Sequence, residues 1–185
     1  MYDVQGLTRD LAERHLDAVV ELDLQMVRDM GRGYTDEAWE ARHFLKDVPG
    51  KWEHSALALG PDQEVLGFLV ASRSEHPRVG VWLHRLATRP EARGRSLGQG
   101  LLEAVLHSAR RAGAPRVTLS LAEGNSGALR FFEQAGFRRL VGPELAELVR
   151  LRAMPSRVLP ECIEEATGHR KLVLALDLPA GGSTP

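Results

Sequence analysis

At 185 residues, with 43% hydrophobic and 26% charged side chains, the chain has the composition of one globular domain with a substantial core. A formal net charge of -1 gives no electrostatic reason to expect nucleic acid as a partner, and the longest apolar runs are too short to span a bilayer. Cys162 is the only cysteine, which excludes an intrachain disulfide and a cysteine zinc cluster and fits a reducing, cytoplasmic location.

The first residues, MYDVQGLTRD, carry acid and lack the apolar stretch of a secretory signal. DVQGLT reads as a first strand. Between Leu11 and Met30, the apolar residues Leu16, Val19, Val20, Leu22, Leu24 and Val27 recur near helical spacing. The glycines of MGRGYT break that pattern. Thr35 then opens a second predicted helix, TDEAWEARHFL, with Asp36 and Glu37 in its first turn. Pro49-Gly50 ends it. SALALG and EVLGFLVAS flank GPDQ as a hairpin, and VGVWLHRLAT is a further strand. The clearest helix runs from Leu97 to Gly113, with Leu97, Leu101, Leu102, Val105, Leu106 and Ala109 on one face.

RVTLSL follows as an alternating strand. Asn125 to Ala135 reads as a short helix closed by Gly136, and FRRLV as another strand. ELAELVRLRAM and ECIEEATG read as two helices separated by PSRVLP, a helical insert over about 143–168. KLVLALDL is a closing strand. Residues 179–185 read as a flexible tail behind a single domain spanning 1–178. The order of elements predicts an α/β fold, a mixed sheet with helices on its faces. His15, His43, His76, His107 and His169 show no metal-ligand spacing, so no metal is expected.

The segment Leu86–Phe137 is the most informative. A strand ends in Pro90, a Gly/Arg loop follows, and the loop opens directly into the Leu97 helix. Backbone N–H groups of such a loop, together with the positive end of a helix, suit an anion such as a diphosphate. Two registers fit, Arg93-Gly94-Arg95-Ser96-Leu97-Gly98 and Arg95-Ser96-Leu97-Gly98-Gln99-Gly100. Glycine lets the backbone approach phosphate oxygens, and arginine adds charge-assisted bonds. A P-loop is excluded by the missing Gly-Lys-Ser/Thr ending, and a dinucleotide fold by the missing G-x-G-x-x-G spacing.

These residues resemble the Gcn5-related N-acetyltransferase (GNAT) superfamily. The resemblance is carried by Leu86-Ala87-Thr88, Pro90, the loop Arg93–Gly98, Leu101-Leu102, and the run from Asn125 and Ala128 through Phe131-Phe132-Glu133 to Gly136-Phe137. It implies a mostly antiparallel sheet of about six to seven strands flanked by helices and splayed between strands 81–88 and 117–121. It also implies acetyl-CoA as cosubstrate. Backbone groups of Leu86, Ala87 and Thr88 would grip the pantetheine arm like an added strand. Arg93, Gly94, Arg95, Ser96, Leu97, Gly98 and Gln99 would hold the diphosphate, and Asn125, Phe131 and Phe132 would flank the thioester. The first register places Ser96 where the family usually has glycine, which asks either Ser96 to take a backbone shape normally left to glycine or the loop to shift slightly. Asn125 has a second reading as a plain helix cap.

Acetyl transfer to an amine requires removal of the amine proton, polarisation of the thioester and stabilisation of the departing thiolate. His84, where many family members place a catalytic Glu, is the candidate base, with a half-buried structural histidine as the alternative. Strand alternation puts Trp82, His84, Leu86 and Thr88 on one face. Phe132 stands where the family often has a tyrosine that protonates the thiolate. That leaves another donor, an unassisted thiolate, or a CoA-binding regulatory module without turnover. Tyr34 and Trp39 are candidates to line the acceptor slot, and Trp39 also fits a core role. The acids of the insert, Glu144, Glu147, Glu161, Glu164 and Glu165, form either a solvated face or an attraction for a cationic amine. The lone Cys162 reads as packing rather than as an acyl carrier. The expected acceptor is a small-molecule amine or a peptide N-terminus, a protein N-terminus or lysine included, served by a monomer or homodimer.

Overall fold

The computed structural model describes residues 2–30, 37–92 and 96–179, which divide between two units. One unit carries the N-terminal helices, the first hairpin and Leu83–Ser108, and the other carries Ser74–Trp82 and the chain from Ala109 onward.

Along the first unit the chain runs through β1 (Asp3–Gly6), α1 (Arg9–Arg14), α2 (Leu16–Met30), α3 (Ala41–Leu45), α4 (Lys51–His54), β2 (Ala56–Leu59), β3 (Val65–Arg73), β4 (Val81–Thr88), which enters it at Leu83, and α5 (Leu97–Arg111), which leaves it after Ser108. The strand order is β1-β2-β3-β4. β1 pairs antiparallel with β2, and β2 with β3, in the register Ala56↔Leu69 and Leu57↔Phe68. All four residues of β2 are buried, so these strands read as apolar runs rather than alternating ones. The expected GPDQ turn closes with Gly60 N–H donating to the Glu64 carbonyl at 2.9 Å. Leu11, Val19, Leu22, Phe44, Leu57, Phe68, Val70 and Ala87 form one core cluster. The six apolar residues of α5 named from periodicity are all buried.

Two helical expectations differ here. The helix expected over Leu11–Met30 is two helices meeting at His15. The helix expected from Thr35 begins only at Ala41. Its first part lies outside the described residues, and the backbone of Glu37–Glu40 is engaged elsewhere. Trp39 N–H donates to Asp23 Oδ2 at 2.7 Å, Glu40 N–H donates to His43 Nδ1 at 3.0 Å, and the Glu37 carbonyl accepts from Arg85. Side-chain partners have replaced the helical ladder.

The second unit holds β5 (Arg116–Ala122), α6 (Ser126–Gln134), β6 (Arg138–Arg139), α7 (Gly142–Leu151), β7 (Ser156–Val158), β8 (Ile163–Glu165) and β9 (Arg170–Asp177). Its strand order is β5-β9-β8-β7, with β6 also pairing β9. β5 and β9 are antiparallel from Arg116↔Asp177 to Ala122↔Lys171. The helical reading of 143–168 holds only for its first half. ECIEEATG is not a helix: Ile163–Glu165 is a strand paired to Ser156–Val158 on one side and to β9 on the other. Main-chain pairing to a long partner outweighs the helical propensity of the glutamates. These short strands raise the count among the described residues to nine, against the six to seven expected. The fold is mixed α/β, a mostly antiparallel sheet flanked by helices.

Candidate active site

β4 ends at Thr88, and a 3-10 turn over Pro90–Ala92 follows. From Leu83 onward burial alternates along β4: His84, Leu86 and Thr88 are half-buried, while Leu83, Arg85 and Ala87 are buried. The strand end is fixed by Arg89, whose N–H donates to the Leu66 carbonyl at 2.8 Å and whose Nε donates to the Val65 carbonyl at 2.6 Å. Gly67 of β3 backs the same place. A Cβ there would meet the Ala87 carbonyl oxygen at 2.9 Å and Thr88 Cγ2 at 3.2 Å.

Arg93, Gly94 and Arg95 lie outside the described residues, as does Tyr34. Ser96, the next residue, has φ +57, the left-handed conformation normally left to glycine. Helix α5 begins immediately after it, with Gly100 N–H donating to the Ser96 carbonyl at 2.9 Å. The first N–H groups of α5 therefore belong to Leu97, Gly98 and Gln99, whose amides have no partner within the helix. Leu97 turns its side chain into the core, and Gln99 Nε2 donates to Glu103 Oε1 at 2.9 Å. What Leu97 and Gln99 offer a ligand is their backbone.

His84 is half-buried, and its Nε2 lies 2.7 Å from Ser72 Oγ. Its ring centroid is 6.3 Å from that of Trp39. Trp39 also packs edge-on against Phe44 at 5.3 Å and belongs to the margin of the first core cluster, so it serves the core and His84 together. Beneath it lies a buried ion pair. Arg85 Nε is 2.9 Å from Asp23 Oδ1, with Arg85 6% and Asp23 0% exposed.

Sequence reasoning missed Ser72, Asp23 and Arg85. Arg85 carried a legible signal, because alternation places it with Leu83 and Ala87 on the inward side of β4, where a charge needs a counterion. Ser72 gave no signal of its own.

The second unit holds the other named residues. Asn125 caps α6, its Oδ1 accepting from Ala128 N–H at 3.0 Å. Phe131 is half-buried. Phe132, 6% exposed, stacks edge-on with Phe131 and Phe137 at centroid distances of 5.0 and 5.3 Å. Glu144, Glu147, Glu164 and Glu165 of the insert face cations. Glu144 pairs with Arg138 and Arg116, Glu147 with Arg150 and Arg78, Glu164 with Arg157 and Arg170, and Glu165 with Lys171. The hydrogen bonds from Arg138 hold the Glu144 carboxyl below its ordinary range. Cys162 is buried outside any helix, and that burial pushes its thiol up, away from the reactive thiolate. Among the described residues no cluster of three or more His, Cys, Asp or Glu could hold a metal ion, and no helix is long and apolar enough to cross a membrane.

Known proteins share this fold. An uncharacterized N-acetyltransferase of Methanocaldococcus jannaschii is 25% identical over 141 residues, covering 74% of this chain and 60% of its own length, so the chain spans about three-fifths of that relative. The ribosomal-protein-S18-alanine N-acetyltransferase of Escherichia coli superposes with a TM-score of 0.66 at 14% identity, over 100% of this chain and 99% of its own. A chain of the NatC complex bound to Gag peptide and CoA superposes with a TM-score of 0.66 at 18% identity, over 96% of this chain and 98% of its own. At those identities the two structures show the shared fold. Residues 19–137 match the acetyltransferase (GNAT) family throughout, and the chain belongs to that family.

Proposed function

We propose that the protein is an acetyl-CoA-dependent N-acyltransferase that moves an acetyl group to a primary amine by direct attack within a ternary complex. The observation that carries this reading is the passage from the end of β4 into the N-terminus of α5 through Ser96 at φ +57, inside the family match. Acetyl-CoA supplies the activated thioester. Leu86, Ala87 and Thr88 offer main-chain groups to its pantetheine arm. The loop from Arg93 to Gln99 offers N–H groups and the helix dipole to its diphosphate. Asn125, Phe131 and Phe132 are proposed for the acyl end on the family resemblance.

His84 is proposed as the base. In one step the amine nitrogen bonds to the acyl carbon, the carbon–sulfur bond breaks, and the amine proton passes to His84 or to a water it orders. Phe132 has no proton to give, so the sulfur departs as thiolate, which is weakly basic enough (thiol pKa about 8.5) to leave unassisted. Holding both reactants together supplies the proximity contribution, so no covalent acyl-enzyme is required. A peptide N-terminus and a small-molecule amine are the acceptors to try first, in keeping with the S18-alanine and peptide-bound neighbours. A reducing, cytoplasmic setting suits the single buried thiol.

Phe132 favours a second reading, a module that binds acyl-CoA without turnover. Calorimetry with acetyl-CoA, followed by thiol release across amines and peptides, separates the two. Binding with release supports the enzyme, binding without release across a wide panel supports the sensor, and no binding removes both.

A further inference from the structure

We propose that Asp23 and Arg85 are positioning residues that hold the Trp39 indole beside His84 and thereby shape the acceptor side of the site. This deepens, and rests on, the acyltransferase reading above.

The ion pair spans α2 and β4 and is almost wholly buried. Arg85 presents two nitrogens to the Asp23 carboxylate, Nε to Oδ1 at 2.9 Å and a terminal nitrogen to Oδ2 at 3.2 Å. The terminal nitrogen donates the one hydrogen bond of the pair, and Nε adds charge proximity to Oδ1. The same two side chains then grasp one short piece of backbone from both ends. Arg85 donates to the Glu37 carbonyl, and Asp23 Oδ2 accepts from Trp39 N–H at 2.7 Å. Residues 37–40 belong to no helix or strand, so these contacts replace the ladder that would otherwise fix them. The Arg85 guanidinium also lies 5.2 Å from the Trp39 ring centre.

The result is that consecutive residues of β4 serve one indole. Arg85 sets where the Trp39 backbone and ring sit, and His84 lies 6.3 Å away across the rings. A buried ion pair adds little net stability over apolar residues of the same volume, and its best-attested use is to specify one arrangement. Here the arrangement specified is the wall next to the proposed base.

The test is the double variant Asp23→Leu/Arg85→Met, which leaves no uncompensated buried charge. It should fold, and its affinity for acetyl-CoA should stay within about twofold of the parent. The His84 imidazole signals in proton–carbon correlation spectra should move to the positions they take in Trp39→Ala. With an amine acceptor that the parent turns over, KM for the acceptor should rise about tenfold while KM for acetyl-CoA stays put. Unmoved His84 signals and an unchanged acceptor KM in the folded variant would overturn the positioning alone. Should the double variant not fold, the parent decides: a Trp39 amide protected from exchange and ring-to-ring Overhauser effects between Trp39 and His84 support the proposal, and their absence overturns it. Parent protein that binds no acetyl-CoA overturns the acyltransferase reading, and the positioning role with it.

Discussion

The Ser72 hydroxyl lies 2.7 Å from Nε2 of His84, and the direction of that hydrogen bond sets which nitrogen of the ring can accept a proton. If Nε2–H donates to Ser72 Oγ, the lone pair is on Nδ1, and Nδ1 would be the atom that takes the amine proton in the proposed reaction. Ser72 is 6% exposed, so the pairing is shielded from competing water. His84→Ala should lower kcat by about 10²-fold or more and leave acetyl-CoA affinity nearly unchanged. Ser72→Ala should lower kcat by about five- to tenfold, the worth of one hydrogen bond. The two losses should not add: in the His84→Ala background, Ser72→Ala should have no further effect. Steady-state kinetics on the four proteins measure this, and full additivity would dissociate Ser72 from the base.

Gly67 sits behind the strand end proposed to grip pantetheine. The Cβ of Gly67→Ala would lie 2.9 Å from the Ala87 carbonyl oxygen and 3.1 Å from Leu101 Cδ1. The carbonyl belongs to the backbone and cannot turn aside, so the end of β4 must shift. Gly67→Ala should cost about 1–3 kcal/mol in denaturant unfolding. Acetyl-CoA affinity should fall as well, because the displaced atoms are the proposed ligands. Equal affinity in calorimetry would show that the Ala87 main chain has no part in binding.

Ser96 carries strain that glycine would not. An L-residue at φ +57 pays roughly 1–2 kcal/mol against its preferred backbone, part of which glycine returns as flexibility of the unfolded chain. Ser96→Gly should therefore gain about 0.5–1 kcal/mol while acetyl-CoA affinity holds or improves. Ser96→Val should lose both, since a β-branched residue tolerates that conformation least. Unfolding midpoints paired with calorimetry check both directions.

The Ser96 conformation was one of two outcomes legible in the sequence, because the register places a serine on a family glycine; φ +57 is that outcome, rather than a shifted loop. So was α5, whose apolar face is stated by spacing alone. Asn125 was legible as a cap, and its cap bond is made. What escaped was everything set by distant partners. Three-residue strands such as Ile163–Glu165 exist only through pairing to their neighbours, here β7 and β9, and no local pattern announces them. The segment before α3 has helical letters, but Asp23 and Arg85, 16 and 48 positions away from their contacts there, take its backbone groups. Ser72 meets His84 across 12 residues of chain and has nothing in its own neighbourhood to mark it.

Lys51 gives the molecule a pH dependence of known sign. It is 2% exposed, and its ammonium caps the end of α3 by donating to the carbonyls of His43 at 3.3 Å, Phe44, and Lys46 at 2.8 Å. Burial pulls its pKa down from 10.5 to about 8, with Asp47 opposing. In the unfolded chain the group keeps its ordinary, higher pKa. Between about 8 and 10.5 the unfolded state thus binds the extra proton, and stability rises with pH through that window. Below it the cost of burying the ammonium is fully present, on the order of 3 kcal/mol before the three carbonyl bonds offset it. Lys51→Met removes the titrating group. Its unfolding free energy, measured from pH 7 to 10 and subtracted from that of the parent, should show the parent gaining ground above pH 8. A flat difference curve would mean that the Lys51 ammonium is held by its three carbonyls as firmly as by water.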